Sequence, residues 1–388
     1  MNQTVSLAPG PVPVSDAAPG PARAPVILHV FSTFAVGGPQ RRFVQLVHHL
    51  GDRFRHVVRA MDGRTDAAAL LDERAACEFQ PLGFARGNAI ANIRQARRTL
   101  STLKPDLLVT YNWGATEWAA ANTPKAVRHI HIEDGFGPEE AERRFLRRSL
   151  FRRLVLNRHS TVVVPSQSLK RIALTDWGLD SHRVRYIPNG IACSRFLRAP
   201  DPELAARFRG AGAVIGTIAT LRREKALDRM ISALGLVRAH MPARLVIVGD
   251  GPDRSRLEAF AAERGLAEHV TFTGSLAAPE RILRAFDVFA VSSDTEQMPL
   301  SVLEAMAAGR AVVSTDAGDI KAMLAEENRA YVVPRYDVAL ASMMMALLRD
   351  EALRRRLGEA NQARAAAEFD ERQMVEAYRR LFTGGVLH

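Results

Sequence analysis

A chain of 388 residues, 47% of them hydrophobic, exceeds what one ordinary core sustains, so a two-domain soluble protein is expected. Its two cysteines, Cys77 and Cys193, are too few for a disulfide framework or a multi-cysteine zinc site, and its histidines show no H-E-x-x-H spacing, so neither a metal nor a cofactor is expected. No apolar run reaches the roughly 18 residues of a spanning helix, no cationic and apolar export signal opens the chain, and a formal charge of +11 points to anionic partners in the cytoplasm.

Residues 1–24, "MNQTVSLAPGPVPVSDAAPGPARA", are rich in Pro, Ala and Gly without an apolar period, which predicts a disordered leader. The fold is expected to begin at "PVILHVFST". From there the strand-like runs "VILHVF", "HVVRAM", "DLLVTY", "RHIHI" and "TVVVPS" alternate with the helical patterns "PQRRFVQLVHHL", "AIANIRQARRTLSTL" and "QSLKRIALTDWG". That alternation predicts an α/β domain over residues 25–190, its mainly parallel sheet wrapped by helices. Before the last of these strands lies "EEAERRFLRRSLFRRLVLNRH", in which Arg143, Arg144, Arg147, Arg148, Arg152 and Arg153 interleave with Phe145, Leu146, Leu150 and Phe151. Such a helix either lies on anionic lipid headgroups, placing the protein peripherally on the inner membrane face, or packs on the core with its arginines solvated.

After "RVRYIPNGIACSRF" the rhythm restarts, with "VIGTIAT", "RLVIVGD", "VTFTG", "VFAVSS", "AVVSTD" and "AYVVP" as strands and "ALDRMISALGLVRAH", "DRSRLEAFAAERG" and "PLSVLEAMAAG" as helices. Residues 191–365 are therefore expected to form a second Rossmann-like domain facing the first across a cleft, with ligands beyond the carboxyl ends of the strands. "SMMMALL", Ser342–Leu348, reads as core filler. Residues 366–388 hold "DERQMVEAYRRLF", a helix with Met374, Tyr378 and Leu381 on one side that either caps the second domain or crosses back to the first.

The most informative stretch is "DTEQMPLSVLEAMAAG". Pro299 suits the first turn of a helix and Gly309 its end. Glu296 then precedes the helix, and Glu304 lies on the order of 7.5 Å along its axis from Pro299. The free N–H groups between them favour a phosphate, and a carboxylate on either side suits hydroxyl-rich groups. Spacing alone equally allows Glu296 to assist the helix start and Glu304 to be solvated. "TIATLRREKALD" puts Arg222, Arg223 and Lys225 at a strand-to-helix turn, either as a solvated face or as counter-charge for a diphosphate.

With these motifs in order, the sequence resembles the retaining glycosyltransferases of family four, which have the GT-B fold of two Rossmann-like domains. "GGPQRRFVQLV", "VVVPSQSLKRIA", "YIPNGI", "RLVIVGDGPDRSRLE", "VTFTGSL" and "EQMPLSVLEAMAAGRAVVSTDAGD" carry the resemblance over nearly the whole chain after the leader. It implies a nucleoside diphosphate sugar donor, with UDP as the commonest nucleotide, and a glycan or lipid-linked hydroxyl as acceptor, in bacterial surface polysaccharide or glycolipid synthesis. It further implies that Glu296 contacts the donated sugar, Glu304 the ribose and Lys225 the diphosphate. Backbone groups around Met298, Leu300 and Ser301 would cap sugar or phosphate, Gly37 and Gly38 would let their loop approach the diphosphate, and Gly249 would lie against the nucleotide sugar. Retention by same-face attack, without metal or covalent nucleophile, follows from the same resemblance.

The chain departs from the pattern at three places. Thr220 stands where the family arginine belongs, with Arg222 the expected substitute and Arg223 the alternative. Asp134, preceded by Glu133, stands where the family often has a histidine, and is expected to orient sugar or acceptor; His131, two residues too early, is expected to be packed. Asp319 replaces a glycine, either tuning sugar choice or capping the next helix. Other readings are a sugar-nucleotide epimerase of the same fold and a basic nucleic-acid-binding protein. The latter lacks a recognisable module and has only 6% aromatic residues, so no nucleic-acid partner is expected. A nicotinamide oxidoreductase is disfavoured because the glycines of "GAGAVIG" precede their strand.

Overall fold

The computed structural model describes residues 23–73, 75–80, 88–135, 145–208, 212–276 and 278–385. The expected leader, apart from its last two residues, lies outside these, as do Arg143 and Arg144. The first sheet consists of β1 (Val26–Phe31), β2 (Arg55–Ala60), β3 (Cys77–Phe79), β4 (Leu107–Tyr111), β5 (Arg128–Ile132), β6 (Ser160–Val164) and β7 (Val184–Tyr186), in the order β3-β2-β1-β4-β5-β6-β7. All its pairings are parallel. Helices cover both faces, so every residue of β1 and β4 is buried and these strands read as apolar runs interrupted only at His29 and Thr110. The edge strands β3 and β7 have three residues each and are mostly half-buried, which is why no apolar run marks them in the sequence.

The second sheet contains β8 (Ala213–Ile218), β9 (Ala243–Val248), β10 (Val270–Phe272), β11 (Val288–Val291), β12 (Val312–Thr315) and β13 (Val332–Val333), in the order β10-β9-β8-β11-β12-β13 and again parallel. Apolar clusters pack the faces of both sheets, and Met344 and Leu347 of "SMMMALL" sit inside one of them. In each sheet the direction of winding reverses, between β1 and β4 and between β8 and β11, and each reversal opens a crevice at the carboxyl ends of the strands.

The chain passes between the two units side by side. The Ile191 N–H donates to the Phe369 carbonyl at 3.0 Å, and the Glu371 N–H donates back to the Ile191 carbonyl at 2.9 Å. Gly190 permits this approach, since a Cβ there would stand 2.8 Å from Glu371 Cα. Beyond the crossing, the Asp370 side chain accepts from the Arg372 N–H and starts the helix Glu371–Thr383. Its Met374, Tyr378 and Leu381 stripe is buried among side chains of β1, β4 and β5, so this helix covers the first sheet, not the second.

Tyr378 is fully buried, with the Arg42 guanidinium 5.8 Å from its ring centre and no hydrogen-bond partner for its hydroxyl among the described residues. Tyr378→Ala should therefore cost about 3–5 kcal/mol of stability. Tyr378→Phe, which removes only the unpaired hydroxyl, should stay within about 1 kcal/mol of wild type. Urea denaturation of the two variants checks both values.

Candidate active site

A cleft of about 520 Å³ lies between the carboxyl ends of the two sheets. The first unit contributes Gly37, Gly38, Arg41 and Asp134 to its wall, and the second contributes Thr220, Lys225, Gly249, Glu296, Met298, Leu300, Ser301 and Glu304. Every site residue expected from the sequence is thus brought to one place except Arg222 and Arg223. Leu221 is fully buried beneath the turn, and the two arginines after it are exposed to solvent outside the cleft wall. The carboxylate nearest Arg222 is that of Glu224, 4.0 Å away.

The second unit's wall is built where β11 ends. The chain leaves the buried strand through Ser292 and Ser293 and re-enters regular structure at the helix Leu300–Ala307, with Pro299 as its extended N-cap residue. The first turn holds no acidic residue, so the free N–H groups of this helix face the cleft without a resident counter-charge. Gly309, at φ +68°, ends the helix. Lys225 Nζ lies 2.6 Å from Glu296 Oε1, which also accepts from Ser293 Oγ at 2.7 Å. The two loops are tied by backbone as well: Asp294 N–H donates to Glu224 O at 2.9 Å, and Ser292 Oγ donates to Lys225 O at 2.9 Å. Arg229 fastens them from behind, donating to Ser292 O at 2.6 Å and Asp294 Oδ1 at 2.7 Å.

Glu304 lines the cleft one and a half turns further on and makes no side-chain hydrogen bond to a described residue. Burial pushes its pKa up from 4.5 to about 7, and the nearby Arg41 charge partly opposes that rise. Gly249, at φ +135°, closes the β9 end of the wall, where a Cβ would stand 1.9 Å from the Ala219 carbonyl oxygen.

On the first unit, Asp134 faces the cleft but is held by Arg42 in a bidentate pair at 2.5 and 2.8 Å. Arg42 also donates to Asn189 Oδ1 at 3.0 Å, and Asn189 Nδ2 donates to Met298 O at 3.0 Å, so a polar chain crosses from Asp134 to the opposite wall. Burial works against the Arg42 charge, and Asp134 outweighs it, raising the guanidinium pKa above its ordinary value. Sequence reasoning missed Arg42. Its signal was a cation on the apolar face of the helix Gly38–Leu50, in register with the buried Leu46 and Leu50. Arg41, its neighbour on the cleft side, was missed as well.

His131 is fully buried, its Nδ1 2.8 Å from Thr110 Oγ1, so it is packed as expected. Asp319 performs neither duty expected of it. It stands at the N-cap of the helix Ile320–Met323, where its backbone carbonyl accepts from the Met323 N–H but its side chain makes no cap, and it does not line the cleft. Its carboxylate instead accepts from the Gln167 and Ser168 N–H groups at 2.5 and 3.0 Å, capping the helix Gln167–Thr175 of the first unit. Beside this cap Ser166 Oγ donates to Gln297 Oε1 at 3.0 Å. A loop residue of one unit capping a helix of the other is a tertiary pairing that local pattern cannot reveal.

Two family models match in the order the fold requires, the one described as Glycosyltransferase Family 4 over residues 36–195 and the one described as Glycosyl transferases group 1 over residues 206–364. The chain belongs to this glycosyltransferase family. The glycosyltransferase is similar to the putative glycosyltransferase EpsF of Bacillus subtilis, 26% identical over 311 residues, or 75% of this chain and 79% of EpsF. It is also similar to a GDP-mannose-dependent phosphatidylinositol monomannoside mannosyltransferase of Mycobacterium tuberculosis, 35% identical over 150 residues. That match covers 35% of this chain and 38% of the relative, so the chain aligns with well under half of it. Among solved structures, Anabaena HepE in complex with UDP-glucose superimposes with a TM-score of 0.78 over 92% of this chain and 99% of HepE, at 19% identity, which establishes the GT-B fold.

Glu304 titrates in a definite window. The folded protein holds a proton there up to about pH 7, whereas the unfolded chain releases it near 4.5. Stability from this group is present below the lower value and is lost as pH rises through the upper one. Glu304→Gln should therefore raise the melting temperature of the ligand-free enzyme above about pH 7, with the gain vanishing toward pH 4.5. Thermal unfolding of both proteins across that range measures it.

Proposed function

We propose that this glycosyltransferase moves a sugar, with retention of anomeric configuration and without a metal, from a nucleoside diphosphate sugar to a hydroxyl of a glycan or lipid-linked acceptor. The observation that carries this reading is the Lys225–Glu296 pair at the mouth of the helix Leu300–Ala307, with Glu304 on the far side of that mouth. A diphosphate seated on the free N–H groups draws the Lys225 ammonium toward itself, and the released Glu296 carboxylate accepts from sugar hydroxyls. Glu304 accepts from the ribose hydroxyls. As the anomeric C–O bond breaks, its electron pair stays on the diphosphate oxygen. The acceptor oxygen bonds the anomeric carbon on the same face, and its proton passes to that diphosphate oxygen. Lys225 and the helix mouth stabilise the charge that develops. Asp134, held in a bidentate pair by Arg42, orients the sugar or acceptor.

The UDP-glucose complex of HepE supports a UDP-sugar donor, and the GDP-mannose-dependent relative makes GDP the alternative. The name of that relative also supports a glycolipid acceptor. Glu296→Ala should lower transfer by about a hundredfold or more with folding intact, while Glu304→Ala should chiefly weaken nucleotide binding. Calorimetry with UDP and GDP, followed by product analysis with and without acceptor, measures both. Wild-type kinetics in both variants would refute the site, and epimerised donor in place of transferred sugar would favour an epimerase.

We also propose that the helix Leu146–His159 docks on an anionic membrane. No helix among the described residues is long and apolar enough to cross one. This helix is inverted relative to an ordinary surface helix. Leu146, Leu150 and Leu154, four residues apart, are 87%, 56% and 55% exposed, beside the exposed Arg147, Arg153 and Arg158. Arg152, in contrast, is fully buried, its guanidinium 4.4 Å from the Trp177 ring centre and 4.8 Å from that of Trp113. Outward leucines flanked by cations suit an interface where apolar chains enter the acyl boundary and each arginine contributes about 1 kcal/mol at an anionic surface. The enzyme should float with phosphatidylglycerol vesicles and not with phosphatidylcholine vesicles. A variant with all three leucines changed to serine should stay unbound, and its flotation with phosphatidylglycerol would remove the proposal.

A further inference from the structure

The charged side chains on the described cleft wall are Arg41, Asp134, Lys225, Asp250, Glu296 and Glu304, four carboxylates against two cations. With Asp134 neutralised by Arg42 and Glu304 protonated up to about pH 7, the wall has no positive charge to spare for a leaving diphosphate, and Lys225 faces it while paired with Glu296 at 2.6 Å. One shared ammonium is a poor counter-ion for that load. The strand-to-helix turn supplies no second cation, because Thr220 is the cleft-facing residue there and Arg222 and Arg223 stand outside the wall.

Arg41 is the remaining candidate. It lies in the first turn of the helix Gly38–Leu50, directly after the Gly37–Gly38 loop, and lines the cleft from the first unit. Its side chain is exposed and makes no hydrogen bond or ion pair with a described residue, whereas its neighbour Arg42 is buried and bonded through both terminal nitrogens to Asp134 and Asn189. The first turn of its helix carries no acidic residue, so the free N–H groups and the guanidinium present positive charge to the same space. Arg41 shares the cleft wall with Glu304, and its charge partly opposes the rise that burial imposes on that carboxyl.

We propose that Arg41 is the second phosphate cation of this enzyme, reaching the leaving diphosphate from the first unit while Lys225 holds it from the second. This rests on the reading of the cleft as a nucleoside diphosphate sugar site. As the anomeric C–O bond breaks and its electron pair settles on the diphosphate oxygen, Arg41 and Lys225 share the added charge from opposite walls. Neutralisation of the leaving group is then complete only when both units face it together.

Calorimetric titration of the full chain with UDP and GDP, with uridine and guanosine as controls, tests the assignment. Arg41→Gln should weaken the tighter-binding diphosphate by about ten- to a hundredfold, leave nucleoside affinity unchanged and slow donor turnover. Arg41→Lys, which keeps the charge, should recover most of that loss. An Arg41→Gln protein that binds diphosphate as tightly as wild type, while Lys225→Ala does not, overturns the role of Arg41 alone. So does an Arg41→Lys protein as weak as Arg41→Gln. If Lys225→Ala also binds like wild type, the diphosphate reading of the cleft itself fails.

Discussion

Lys225 and Glu296 meet at 2.6 Å across the winding reversal of the second sheet, and the cleft is organised around that contact. An ion pair withdrawn from water is tolerable only when its charges keep other hydrogen-bond partners. Ser293 supplies one to the carboxylate, and the backbone bonds between the β8 and β11 loops prevent the pair from separating by loop movement. Lys225 is 22% exposed and Glu296 10%, so the pair is reachable from the cleft yet too shielded to be swamped by solvent. A polyanion and a polyol can each compete for one member of such a pair. That dual susceptibility makes the site suited to a sugar joined to a phosphate.

The first unit answers with a different economy of charge. Arg42 and Arg152 are both buried, the one with Asp134 and the other between two indole rings and near Glu133, whose Oε2 is 3.4 Å from its Nε. Guanidinium tolerates such settings because it is weakly hydrated and planar, and a lysine in either place would lose both the fork geometry and the stacking. Arg42 fixes the orientation of Asp134 and, through Asn189, of the Met298 carbonyl on the facing wall. Positions on the two sides of the cleft are therefore coupled by polar contacts as well as by apolar packing.

Most of this architecture was legible in the sequence. Strands buried on both faces announce themselves as apolar runs, and the longer strands of both sheets were visible for that reason. The short edge strands β3 and β7 were not, since nothing covers them fully. A strand end, a proline and a helix start marked Glu296, Glu304 and Lys225 as candidates, but spacing left their duties open, and it was the family resemblance that singled them out together with the glycines. Arg222 and Arg223 misled because a charge cluster at a turn does not disclose which side chains face inward; the buried Leu221 decides that, and only the folded turn reveals it. Asp319 bonds N–H groups of the other unit, at Gln167 and Ser168, and a partner more than a hundred residues away leaves no local trace.

The paired crossing segments at Ile191 and Asp370 carry a mechanical consequence. Two connections running side by side behave as adjacent pins in a single hinge: the units can swing about that line, but sliding or twisting would have to shear both backbone hydrogen bonds at once. Opening of the cleft is thereby channelled into one direction. The Asp319 contact, which ties the second unit to the helix Gln167–Thr175, must come undone along that arc, freeing the Gln167 and Ser168 N–H groups whenever the door stands open while Ser166 keeps its own bond to the Leu169 N–H.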